Sequence, residues 1–137
     1  MSPASPAEWY SYAVVRVVPR VEREEFVNSG VILFVRASRT LRARIDVEAE
    51  RILALDARAD TKRIQAHLEL FSAVCAAAPE AGPIGELPAD ERFHWLTAPR
   101  STVIQVSPVH EGRSTDIDAT LDDLFTRYVA RQGEGLG

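Results

Sequence analysis

Between Trp9 and Val18 the chain reads Trp-Tyr-Ser-Tyr-Ala-Val-Val-Arg-Val-Val, then meets Pro19. Tyr10, Tyr12, Val14 and Val18 share one period-2 face with Arg16, while Ala13, Val15 and Val17 share the other with Ser11. A strand that is apolar on both faces must be central and covered on two sides. Pro19 ends it because proline has no N–H to give to a ladder. Gly30 to Arg36 has the same character, with Val31, Leu33 and Val35 on one face and Ile32 and Phe34 on the other. Leu41 to Ile45 alternates cleanly, Leu41, Ala43 and Ile45 against Arg42 and Arg44, as in a half-exposed edge strand whose arginines discourage further pairing. The short turn Ala37 to Thr40 favours antiparallel pairing of the last two strands.

The period then changes. Asp46 to Leu55 fits a short helix and Asp60 to Ala78 a longer one, where Ile64, Leu68, Phe71, Cys75 and Ala78 form one stripe ahead of Pro79. Pro88 to Leu96 predicts a further short helix, Thr102 to Ser107 a fourth strand between Pro99 and Pro108, and Thr115 to Ala130 a last helix with Ile117, Leu121, Leu124 and Tyr128 on its apolar face. The expected order is β-β-β-α-α-(α)-β-α. That is an α+β fold, an antiparallel or mixed sheet of about four strands with helices packed on it. With 137 residues, 46% of them hydrophobic, the chain suits a single compact domain over 9–131, with residues 1–8 and 132–137 as loose termini. One cysteine, no apolar leader and no apolar run near membrane-spanning length lead to the expectation of a cytoplasmic protein that does not enter a membrane.

Chemistry is harder to find. Cys75 falls in the apolar stripe and reads as a core thiol. His67, His94 and His110 have no metal-ligand spacing, and neither a phosphate-binding glycine loop nor a nucleophile elbow occurs, so no metal and no cofactor are expected. Two segments stand out. In the first, Arg16 falls on an otherwise apolar strand face and needs a carboxylate or several acceptors, for which Glu25 and Asn28 are the nearby candidates. It reads either as an internal ion pair or as an anion site. In the second, Ser107 to Asp116 is expected to link the fourth strand to the last helix. There His110, Glu111 and Arg113 could supply a base, its orienter and an anion clamp, although helix capping by Ser114, Thr115 or Asp116 also accounts for part of it.

The same two segments carry a family resemblance. Tyr10 to Phe34, with its Tyr-Ser-Tyr-Ala-Val-Val-Arg-Val-Val-Pro and Glu-Phe-Val-Asn-Ser-Gly-Val-Ile-Leu-Phe stretches, resembles the opening of the bacterial family called domain of unknown function 3037. Val103 to Gly112, followed by a helix with Leu121, Leu124 and Phe125, resembles that family's C-terminal part. Glu24 stands where the family's Arg-Gly-Glu pattern has glycine, and Ser29 where an aliphatic residue is usual. The resemblance implies a small protein often encoded beside a HipA-type serine/threonine kinase, and hence a protein-interaction or accessory module with a kinase-like partner rather than a free-standing enzyme. The alternatives from other classes are a phosphate- or nucleic-acid-handling domain, or a hydrolase, using Arg16 and His110.

Charge narrows the choice of surface. Arg16 to Ile45 holds seven Arg against three Glu, a net of +4, while Asp46 to Gly137 carries a net of -7. A basic sheet segment, with Arg36, Arg42 and Arg44 on it, is therefore joined to acidic helices. This division opposes wholesale nucleic-acid binding but leaves two possibilities for the basic face: an acidic partner, or neutralisation within the fold.

Overall fold

In a computed structural model, which describes residues 6–130, the strand predicted to be central is central. β1 (Glu8–Val17) lies between β2 (Val27–Val35) on one side and both β4 (Ile104–Val106) and β5 (His110–Ser114) on the other; β3 (Thr40–Ile45) extends the sheet beyond β2. Every pairing is antiparallel. Glu8, read from sequence as part of a loose leader, already belongs to β1 and pairs with Ser114. Residues 1–5 and 132–137 of the expected termini lie outside the described residues.

Both faces of the sheet are covered, as the two-sided apolar pattern requires. Val15 and Val17 of β1 and Ile32 and Phe34 of β2 meet α1 (Ala49–Leu55), α2 (Thr61–Ala76) and α3 (Ala89–Thr97) through Ile52, Leu68, Phe71 and Leu96. Tyr12, Val31, Leu33 and Val35 meet α4 (Ile117–Tyr128) through Leu121, Leu124 and Phe125. Ile32 and Leu33, neighbours in sequence, are both 0% exposed in opposite layers, where each such side chain contributes about 1.5–3 kcal/mol.

Local chemistry sets the helix ends. Asp60 and Asp116 cap α2 and α4, accepting from the N–H groups of Arg63 and Ala119 at 3.1 Å each. α2 stops at Ala77, whose φ of 53° is left-handed, just before Pro79. Arg92 of α3 then reaches back to this end. Its Nη1 donates to the carbonyls of Val74 and Cys75 at 2.8 and 2.9 Å, and its Nε to Leu87 at 2.9 Å.

Glu24 and Ser29 both occupy locally unusual backbone. Glu24 closes the 3-10 turn Val21–Arg23 with φ 57° and ψ 15°, a left-handed conformation that glycine adopts without a Cβ penalty. Ser29, 1% exposed, is the extra residue of a bulge in β2, since Val15 pairs with Gly30 but Arg16 with Asn28.

Between the sheet and α4, the Tyr12 hydroxyl lies 3.1 Å from that of Tyr128. Burial first, and this hydrogen bond second, push the Tyr12 phenol up to about 12 from its ordinary value of 10.0. The raised value means that the fold holds the protonated phenol. Its contribution to stability is complete below pH 10 and is lost as pH rises from 10 to about 12. Thermal melts across that window should fall steeply for the wild type, and Tyr12→Phe should remove this component while costing about 1 kcal/mol at neutral pH for the lost hydrogen bond. An unchanged slope in Tyr12→Phe would place the titration elsewhere.

Candidate functional site

The segment from Ser107 to Ser114 forms the outer edge of the sheet rather than the expected strand-to-helix loop. β4 and β5 both lie along β1, and their registers differ by one residue: Val15 faces Val106, whereas Tyr12 faces His110. The extra residue makes a bulge at Pro108 and Val109, opposite Ala13, a place that suits a proline without an N–H. Ser107, 4% exposed, holds the junction. Its N–H donates to the Val14 carbonyl at 2.8 Å, its Oγ accepts from the Val14 N–H at 2.8 Å, and its hydroxyl donates to the Pro108 carbonyl. Its role is to satisfy backbone that the bulge would otherwise orphan.

Strand geometry separates the expected base from its orienter. His110 faces Tyr12, with ring centroids 5.3 Å apart, on the α4 side of the sheet. Glu111 faces Ser11 on the other side. Adjacent strand residues project oppositely, so His110 and Glu111 do not form a dyad. Gly112 lies under the Tyr10 ring, and a Cβ there would collide with that ring. Arg113 stacks on Trp9, its Cζ 5.3 Å from the ring centroid.

The Arg16 group is a separate place. Glu25 pairs with Arg23, and Glu22 with Arg20, so neither balances Arg16. Asn28 donates from Nδ2 to the Tyr128 carbonyl at 3.0 Å, tying β2 to the end of α4. Arg16 instead packs against Phe26, its Cζ 4.2 Å from the ring centroid. Its Nε and the Asn28 Oδ1 are buried without hydrogen-bond partners. A cleft of about 350 Å³ opens beside Arg16, and none of Ser107, His110 and Arg113 lines it. The two groups singled out from the sequence therefore do not share a cleft.

The basic sheet face is largely answered within the fold. Arg44 bonds Asp122 of α4 at 2.9 Å and stacks on Phe125, and Arg42 lies 3.9 Å from Asp118. These exposed pairs are worth little singly, but they direct the acidic start of α4 onto the basic edge strand. Arg36 is exposed and stands at a different cleft.

That cleft, of about 510 Å³, was not anticipated from sequence. One wall is a face of α3, carrying Asp90, Phe93, His94 and Thr97. Trp9, Phe34, Arg36 and Glu111 supply the sheet side, and the Phe34 and Phe93 rings stack at 5.3 Å. Trp9 is 62% exposed. The i, i+3, i+4, i+7 spacing on α3 was available in the sequence, but Trp9 as a cleft residue was not, because its position depends on β5.

The remaining candidates are structural. Cys75 is buried and its thiol is pushed up to about 12 by burial, against a smaller opposing effect of Arg92, so it is a poor nucleophile at neutral pH. His67 is exposed on α2. Among the described residues no cluster of His, Cys, Asp and Glu could hold a metal ion, and no helix is long and apolar enough to cross a membrane. The family model described as "Protein of unknown function (DUF3037)" matches residues 12–129. No curated protein and no solved structure matches the chain.

Proposed function

The chain belongs to the DUF3037 family, and we propose that it is a cytoplasmic protein-interaction module that docks a partner along the outer edge of β5. The observation that carries this reading is Trp9, a large aromatic left 62% exposed beside an edge strand that pairs only with β1 among the described residues. An exposed aromatic at a groove is the kind of residue that dominates binding energy once covered. The free edge offers backbone donors and acceptors to an extended segment, and Phe34 and Phe93 give that segment an apolar floor. Val109, 45% exposed, extends the apolar surface along the same edge. Pro108 and the bulge interrupt that edge, which limits unselective pairing with further strands.

A kinase-like protein is the partner implied by the family resemblance. Co-expression of the chain with such a protein tests the reading. A complex should form, Trp9 emission should shift to shorter wavelength, and Trp9→Ala should weaken binding by about 2 kcal/mol or more. A complex that tolerates Trp9→Ala and Val109→Glu unchanged would place the interface elsewhere.

A further inference from the structure

Arg16 lies on the α4 side of the sheet, opposite Asn28 on β2 and Gln105 on β4. Neither neighbour carries charge, and no carboxylate among the described residues forms an ion pair with Arg16. A guanidinium with a buried Nε and no counter-charge is costly, and chains ordinarily avoid it by supplying one. Glu22 is engaged with Arg20 and Glu25 with Arg23, while Glu24 lines the same cleft as Arg16 without forming an ion pair with it. The cleft beside Arg16 has both polar and apolar walls. Arg100, Ser101 and Gln105 line its polar side, and Val21 and Phe26, 37% and 44% exposed, line the apolar one. The Arg100 guanidinium is spent on the carbonyls of Trp95, Leu96 and Ala98 and stacks on the Phe71 and Trp95 rings, so the charge offered to the cleft is that of Arg16.

We propose that this cleft binds a phosphate monoester, its oxyanion held by Arg16 with Ser101 and Gln105, and its organic part resting on Val21 and Phe26. Guanidinium groups suit the fork geometry of phosphate oxygens. The site shares no lining residue with the Trp9 cleft, so it stands or falls independently of the docking surface. Glu24 is the carboxylate on its lining, and its backbone is in the left-handed conformation that favours glycine. It opposes an anion there, so Glu24→Gly removes a repulsive charge and a strained backbone together.

Titration calorimetry with inorganic phosphate, phenyl phosphate and acetate, at low and at raised salt, tests the assignment. Phenyl phosphate should bind more tightly than inorganic phosphate, and acetate least. Arg16→Gln should weaken phenyl phosphate by about tenfold or more, the loss of one charge-assisted contact. Glu24→Gly should tighten it. Circular dichroism of both variants verifies that the fold is retained. Equal binding of phenyl phosphate by wild type and Arg16→Gln, or no measurable heat with any phosphate at millimolar concentration, would overturn the site. A free phosphoester and a phosphorylated side chain share this chemistry; comparing phenyl phosphate with a phosphotyrosine peptide separates the two sources.

Discussion

Replacing Arg92 by alanine should destabilise the protein by about 3 kcal/mol, read as a lowered denaturant midpoint at constant m-value. The guanidinium joins three carbonyls that belong to two different parts of the chain: Val74 and Cys75 at the end of α2, and Leu87 just before α3. The last carbonyls of a helix have no partner within it, and those of α2 lie where the chain turns away through Ala77. Without Arg92 those acceptors lose a charged donor, and the connection through Pro79–Glu86 loses its tie. Arg92→Lys should recover little of the loss, because a single ammonium on a flexible stem cannot serve three acceptors in the fixed fork of a guanidinium. A cost below about 1 kcal/mol for Arg92→Ala would show that solvent satisfies these carbonyls instead.

Ser107→Ala should cost about 2 kcal/mol, although it removes one oxygen atom. The reason is the partner left behind. The Val14 N–H lies in the centre of the sheet, Val14 is 3% exposed, and the bulge gives that N–H only the Ser107 Oγ to bond. Removing the acceptor strands a buried donor, which costs more than an average hydrogen bond gains. Amide exchange should show it locally: Val14 should lose protection by more than its neighbours Ala13 and Val15. Uniform loss of protection along β1 would instead indicate general destabilisation. The same substitution should loosen the β4–β5 junction.

These cases show which residues the sequence could explain. Of the predicted stripe, Ile64, Leu68, Phe71 and Cys75 are buried, because helix period and burial are local consequences of the same spacing, whereas Ala78 lies beyond the end of α2 and is half-buried. The core role of Cys75 followed from it. Ser107 and Gly112 were legible as members of a family motif but not in their roles. One completes a bulge and the other makes room for the Tyr10 ring, and both are relations to β1, about a hundred residues away in the chain. Arg92 gave no signal, because a charged residue in a short helix has the same appearance whether it faces water or clamps carbonyls. For Arg16 the sequence posed the question of a counter-charge, and the structure showed Glu25 engaged with Arg23.

What the sequence determined by itself was the two-sided cover of β1, the switch from period 2 to period 3.6, and the division of charge between a basic sheet and acidic helices. Each is written in residues close together in the chain, where spacing alone fixes which side chains share a face. The tertiary structure decided the rest. His110 to Ser114 has no apolar alternation and became a strand because the edge of β1 had backbone groups to satisfy. That pairing placed His110 and Glu111 on opposite faces and brought Trp9 to a groove. It took the packing of α4 to set Arg42 and Arg44 against Asp118 and Asp122. Hydrogen bonds and ion pairs between distant segments depend on where whole elements meet, and no local periodicity records that.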